Sequence, residues 1–357
     1  MKCKVFISCM GWGHLIREII ILRELKKKIP NLSITIQSRK NSLAKKFLKE
    51  FNFIEDENLV KFYSKNNGSI DLLRTKKYYL NYKKKSNEWI DRNLNDRDYD
   101  FFISDLSPEA VKVGRELRKP TFSICHFTWD WFFSQFLPRL AKQNIINLWE
   151  KQLKLSSKFF FPPLTPISIL NKYKNHFQVP FIVSNLRHQN SNIKFKKKYN
   201  VLLMDSGDKL MKNNFKKILK KNQNSRLIKF FHPSSFGNYK NTFKIPKNKL
   251  LTDYIKTSDL VIARPGFNTI SSVLKERKPS IYFLSDDNPE INWNIHQLHT
   301  YDLTHSVKVS HLINNFEDII KSKIENENNK FLKNIIDKNF KFNGHKVISS
   351  KIFNLLK

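Results

Sequence analysis

His14 stands directly after Gly11-Trp12-Gly13, behind a short apolar run over 5–9. Two glycines one residue apart permit a tight turn after a strand and bring the amino end of the next helix to face an anion. A histidine at that helix start can take a proton from a hydroxyl, or can be satisfied by local backbone groups alone. Asp105 ends a second apolar run, Phe101-Phe102-Ile103. A carboxylate there would orient His14 and stabilise its imidazolium, the supporting part of a dyad. The alternative is a cap for a helix opening at Pro108, a position that Ser107 fits better. Cys125-His126-Phe127-Thr128-Trp129-Asp130-Trp131 then puts a histidine, a carboxylate and two indoles just beyond a third apolar run. Indole faces with polar neighbours suit a hydroxylated ring, and an aromatic core with a cap is the other reading.

The second half repeats the pattern with different chemistry. The amides of a Ser206-Gly207 turn can hold a phosphate oxygen. Arg264-Pro265-Gly266-Phe267-Asn268-Thr269 offers a helix amino end with a hydroxyl beside it, where a diphosphate would gain from the helix dipole; Arg264 could instead only pair with a carboxylate. Several chemistries are excluded. The third glycine of a dinucleotide fingerprint would fall at position 16, which is Ile16, and no phosphate-loop GK[ST] exists. His296-x-x-His299 has no further ligands in register, so no metal site is expected.

These residues need elements to position them. A strand over 5–9, a helix over 15–28 with one buried side and a strand over 32–37 make a βαβ unit. A strand over 99–103, a helix over 108–117 and a strand over 121–125 continue it, and 159–161 is strand-like. The polar, basic stretch 184–199 reads as a linker. Beyond it come a strand over 200–204, a helix over 209–221 and a strand over 227–231. A short helix end over 254–258, a strand over 260–263, a helix over 269–276 and a strand over 279–284 follow. The expected fold is therefore α/β, two Rossmann-like parallel-sheet domains facing each other across a ligand cleft. Their expected bounds are 1–183 and 200–357, with the last helix returning to the first domain. Of only eight glycines, four (Gly11, Gly13, Gly207 and Gly266) fall at expected strand-to-helix turns, which points to a special backbone conformation or close approach to a ligand.

Composition bounds the partners. The formal net charge is +34, carried by 52 Lys against 13 Arg spread along the whole chain. Nucleic-acid contacts favour arginine's fork, so the excess reads as background usage and no nucleic-acid partner is expected. A helix expected over 70–94 interleaves Lys76, Lys77 and Lys83 to Lys85 with Tyr78, Tyr79 and Tyr82. It could lie weakly on an anionic membrane, or be a surface helix with snorkelling lysines and inward tyrosines. Cys3, Cys9 and Cys125 suggest thiols and no disulfide framework. Without a signal-peptide pattern or a run of about twenty apolar residues, the expected location is the cytoplasm, including the inner face of the membrane.

Read together, the segments resemble the two-domain GT-B glycosyltransferases. The nearest in pattern are those related to the N-acetylglucosaminyltransferase that makes the lipid intermediate of peptidoglycan, and the UDP-glycosyltransferases. MGWGHLIRE is similar to their GxGH-x-x-R segment. SDLSPEA and HFTWDWFF resemble segments of the glycosyltransferase-like part of arabinokinase-type proteins. SDLVIARPGFNTISSVLKERKPSIYF resembles the donor-binding segment. The resemblance implies His14 as base with Asp105 in support. It implies a donor region of Gly13, Ser206, Gly207, Arg264, Gly266, Asn268, Thr269, Ser272, Glu290 and Asn294, and an acceptor side of Arg17, His126, Trp129 and Asp130.

Two departures stand out: Ser272 replaces a glutamate that contacts the nucleotide ribose, and Ile291 replaces a glutamine that contacts the donor sugar. Glu276, one turn beyond Ser272, is the residue available to substitute. The implied reaction is inverting, metal-independent transfer from a nucleotide-diphospho-sugar, UDP-linked, to a hydroxyl of a glycan or lipid-linked acceptor, with the nucleotide sugar as co-substrate and no cofactor. Its rivals are a nucleotide-sugar hydrolase or epimerase on the same fold and a non-catalytic nucleotide-sugar-binding protein.

Overall fold

Apolar runs bounded by turns become strands buried on both faces, and the strands of the described residues pair in parallel. The structure is a computed structural model. It describes residues 1–8, 12–39, 49–56, 59–65, 69–135, 139–183, 198–205, 209–246, 249, 251–283, 288–303, 305–306 and 309–357. The chain divides into a first unit of Met1–Tyr63, Ile70–Ser184 and Asn343–Lys357, and a second of Ser64–Ser69 and Asn185–Phe342.

The first unit contains β1 (Lys2–Ile7), β2 (Ser33–Ser38), β3 (Asn52–Glu55), β4 (Phe101–Asp105), β5 (Thr121–Ile124), β6 (Lys158–Phe161) and β7 (His176–Gln178). They pair in the order β3-β2-β1-β4-β5-β6-β7, each neighbour parallel. The second contains β8 (Tyr199–Met204), β9 (Ile228–Pro233), β10 (Thr242–Ile245), β11 (Leu260–Ala263), β12 (Ser280–Tyr282) and β13 (His305–Ser306). Their order is β10-β9-β8-β11-β12-β13, again all parallel. In each sheet the order reverses at the first strand, so the crevice of a doubly wound sheet opens at the carboxyl ends of β1 and β4, and of β8 and β11. Register puts Ile7 beside Asp105 at one switch point and Met204 beside Ala263 at the other.

The helix Trp12–Lys28 is held on two sides. Leu15, Ile19, Leu22 and Leu25 belong to a core shared with β1, β2 and β4. The C-terminal helix Gly344–Leu355 packs along it in the first unit, where Ser349 Oγ donates to Ile21 O at 2.9 Å. Gly344 is required there, since a Cβ would lie 2.1 Å from Pro180 O. The opposite face of the sheet carries an aromatic core including Tyr79, Tyr82, Trp129, Phe133 and Trp149.

The helix expected over 70–94 is two helices, Leu72–Tyr79 and Tyr82–Asn93. The break falls at Leu80 and Asn81, where Asn81 leaves the helical conformation at φ −110° and ψ 24°. Tyr79 and Tyr82 are buried in the aromatic core, so the inward reading holds for these tyrosines. The short strands β3, β7, β10 and β13 are not apparent in the sequence. β3, for one, is fully exposed, and such short segments carry little apolar signal. The linker region falls mostly outside the described residues, and its last residue, Tyr199, already opens β8. Cys3 and Cys125 are buried free thiols; Cys9 lies outside the described residues.

Candidate active site

The first switch point is built by a helix face and a strand end. The helix begins at Trp12 and not at residue 15, so Gly13 and His14 lie inside its first turn. Gly11 lies outside the described residues. Positions 14, 17 and 18 are spaced i, i+3 and i+4, which places His14, Arg17 and Glu18 on neighbouring positions of one helix face. That face meets Asp105 at the carboxyl end of β4, where Ser8 N donates to Asp105 O at 3.1 Å.

His14 Nδ1 lies 2.9 Å from Asp105 Oδ2 and 3.1 Å from Oδ1. Arg17 Nη2 lies 3.3 Å from the same nitrogen, and the shorter carboxylate contact favours a protonated Nδ1, the tautomer whose Nε2 carries the free lone pair. The Asp105 side chain is fully buried and that of His14 is 11% exposed. Burial by itself would raise the Asp105 carboxyl, but the charges of Arg17 and His14 outweigh it and hold the group below its ordinary range. Arg17 Nη2 donates to Asp105 Oδ1 at 2.5 Å, and Nη1 lies 3.3 Å from His126 Nδ1. A guanidinium only donates, so that nitrogen of His126 accepts and its proton sits on Nε2.

The turn after Asp105 is strained. Leu106 takes φ 58°, a left-handed conformation that costs a residue with a side chain about 1–3 kcal/mol. Side chains hold it in place. Trp129 Nε1 donates to Leu106 O at 2.8 Å, and Ser104 Oγ donates to Ser107 O at 2.8 Å. Ser107 caps the helix Pro108–Glu116, accepting from Ala110 N, so Asp105 is left to His14 and Arg17.

The residues expected on the acceptor side are all buried. Trp129 is 1% exposed, with ring contacts to Phe127, Phe132 and Phe133, so it offers no open face to a sugar. Arg17, His126 and Asp130 are buried as well. Arg17 is turned onto Asp105, and Asp130 accepts from Lys172 Nζ at 2.9 Å. Buried charges are retained where they are paired.

The second switch point is arranged differently. Gly266 precedes the helix Phe267–Lys275 with φ −72°, an ordinary conformation. Nothing lies within 4 Å of where its Cβ would be, so the glycine is required neither by backbone strain nor by packing within the chain. It leaves room above the helix amino end, where backbone N–H groups have no intrahelical partner. Asn268 and Thr269 sit in the first turn, and Arg264 follows β11. Asn294 lies on the helix Pro289–Thr300, which also carries Glu290 in its first turn. Its Nδ2 donates to Pro265 O at 2.9 Å, while its fully buried Oδ1 has no partner. Ser272 Oγ is spent on Asn268 O at 2.8 Å. Ile291, where the resemblance implies a polar contact, is 1% exposed and a core residue. Ser206 and Gly207 lie outside the described residues.

Two further residues were not among the sequence expectations. Glu18 is wholly buried beside Arg17, and its signal was the spacing H-x-x-R-E. His232 ends in the interior near the carboxyl end of β9. Its Nδ1–H donates to Pro233 O at 2.9 Å, its Nε2 has no partner, and burial lowers its pKa. Its signal was a histidine closing an apolar run, as Asp105 does. Among the described residues, no group of three or more His, Cys, Asp or Glu side chains is placed to hold a metal ion. No helix among them is long and apolar enough to cross a membrane.

No family model matches this sequence, and no curated protein is similar to it in sequence. Solved structures are similar across its length. The glycotransferase of kitacinnamycin is similar at TM-score 0.73 and 11% identity, covering 100% of this chain and 99% of the other. A UDP-glucosyltransferase from Polygonum tinctorium, capable of glucosylating indoxyl, gives 0.69 and 11%, covering 99% and 98%. MurG from Acinetobacter baumannii gives 0.59 and 12%, covering 99% of each. The fold is GT-B. At such identities the likeness is one of fold.

Proposed function

We propose that this chain is an inverting, metal-independent glycosyltransferase that moves a sugar from a nucleotide-diphospho-sugar, UDP-linked, to an acceptor hydroxyl. The observation that carries the reading is the His14–Asp105 pair, which leaves Nε2 of a partly exposed imidazole able to accept a proton. In the reaction, Nε2 takes the acceptor's proton as its oxygen attacks the anomeric carbon from the face opposite the diphosphate. The bond to the diphosphate breaks, and Asp105 stabilises the imidazolium. The Gly266–Thr269 helix end and Arg264 receive the charge of the leaving diphosphate, together with Ser206 and Gly207.

The acceptor in this reading is a glycan or a lipid-linked hydroxyl, met in the cytoplasm or at the inner face of the membrane. Leu73 and Leu80, 83% and 73% exposed, stand among the exposed Lys76, Lys77 and Lys83 to Lys85 and suit weak contact with anionic lipid. A second reading, a non-catalytic nucleotide-sugar-binding protein, is favoured by Ile291 and Ser272, which are unavailable for the donor contacts made at those positions in the resembling family.

Incubation with a panel of nucleotide sugars and acceptor alcohols decides between them. Acceptor-dependent release of nucleoside diphosphate supports transfer. Release with free sugar and no acceptor product supports hydrolysis. Thermal stabilisation by nucleotide sugar with no release supports the binding protein.

A further inference from the structure

The first switch point holds one more ionisable group than a histidine–aspartate pair requires. Glu18 is 0% exposed, one turn along the helix from His14 and adjacent to Arg17. Its Oε1 lies 3.4 Å from Arg17 Nε, while Arg17 Nη2 is held by Asp105 at 2.5 Å. One guanidinium is thus shared by two buried carboxyl groups, and Glu18 Oε2 has no partner. We infer that Glu18 is a positioning residue that sets the charge behind the His14–Asp105 pair, and through it the basicity of His14.

Charge balance within the cluster carries the inference. With His14 neutral, Arg17 balances Asp105 alone, and an ionised Glu18 would be a second, uncompensated charge in the interior. With His14 protonated, two cations face two anions and the ionised Glu18 is matched. The same charge that is costly at rest is compensated once His14 has taken a proton. The surroundings fit this reading. Burial pushes the Glu18 carboxyl up to about 8, the nearby Asp105 adds to the rise, and Arg17 opposes it. From β1 the buried thiol of Cys3 faces it, and after β5 that of Cys125 does so. The C-terminal helix directs His345 and Lys346 at Glu24, further along the same helix. Arg17 is therefore the cation with which Glu18 interacts.

The inference deepens the reading of His14 as the base, so its test is split. The ring signal of His14 is followed by NMR against pH in the full chain without any donor, alongside turnover of a nucleotide sugar. In the wild-type chain the His14 signal shows, besides its own titration, a second inflection between about pH 7 and 9 as Glu18 ionises. Turnover rises about threefold across the same window, because ionised Glu18 makes the base stronger. In Glu18→Gln the inflection and the rise are both lost, and Glu18→Asp retains them. The ¹³C signal of the Glu18 carboxyl in the wild-type chain reports the same ionisation without any variant. Superimposable His14 titrations in folded wild type and Glu18→Gln overturn the inference, as does a Glu18 carboxyl that titrates in the ordinary range. An intact coupling with no turnover on any donor upholds it and sinks only the transferase reading.

Discussion

The two switch points of this chain occupy equivalent places in their sheets and are prepared in opposite ways. In the first unit the polar groups largely satisfy one another: His14 with Asp105, Asp105 with Arg17, Arg17 with His126. The arrangement fixes a tautomer and a charge before any ligand arrives. In the second unit two buried acceptor atoms are left unpaired. Gly266 exposes a helix end, and Asn294 Oδ1 and His232 Nε2 are buried acceptors without partners. A buried acceptor left unpaired costs stability, and each of these two belongs to a fully buried residue. Proton transfer needs preorganised partners, whereas ligand capture needs unspent ones.

The largest way to break this comparison is His14→Ala, which should lower turnover about 100- to 10,000-fold while leaving nucleotide-sugar affinity unchanged. Steady-state kinetics beside calorimetric titration of the donor checks it, and equal losses in both would mean that the two sites are not divided by task. Next, Arg17→Met leaves the Asp105 carboxylate buried without its guanidinium and should cost about 3–5 kcal/mol of stability. Urea unfolding measures this; a cost below about 1 kcal/mol would place the cluster at the solvated, weak end of ion pairs.

A pair of glycines sharpens the contrast further. At Gly114 a Cβ would meet Thr121 Oγ1 at 1.8 Å, so Gly114→Ala should destabilise by about 1–3 kcal/mol. At Gly266 the space is open, so Gly266→Ala should cost about 1 kcal/mol or less and yet weaken nucleotide-sugar binding about tenfold. Undiminished affinity would remove the ligand from that helix end.

The smallest effect is on stability against pH. The folded Glu18 carboxyl lies at about 8 against an ordinary 4.5. Its contribution is therefore fully present below about pH 4.5 and is lost as pH rises through about 8. Glu18→Gln should match wild type in thermal midpoint near pH 4.5 and exceed it near pH 9. A constant difference across that range would show that Glu18 does not titrate there.

Much of the fold and of the first switch point is legible in the sequence, and what is not has a common cause. Strands β1, β4, β5, β8 and β11 announce themselves because burial on both faces demands continuous apolar runs, and the turns after them are marked by glycine or by a polar residue closing the run. Those local signals are enough to put His14, Asp105 and the 264–269 segment at strand ends. Trp129 misleads because an indole beside polar residues looks alike whether it faces a ligand or a core; its Nε1 bond to Leu106 O decides the matter.

Glu18 and His232 are hidden for a related reason. A charge on an amphipathic helix ordinarily faces water, and nothing local reveals that Asp105 and Cys125 are brought beside Glu18. The sequence by itself determined the two parallel sheets, their switch points and the residue types placed there, since periodicity and turn chemistry are local. Only the tertiary structure decided which of those groups are spent on one another and which remain open, because burial and partnership depend on what residues distant in sequence bring to the same place.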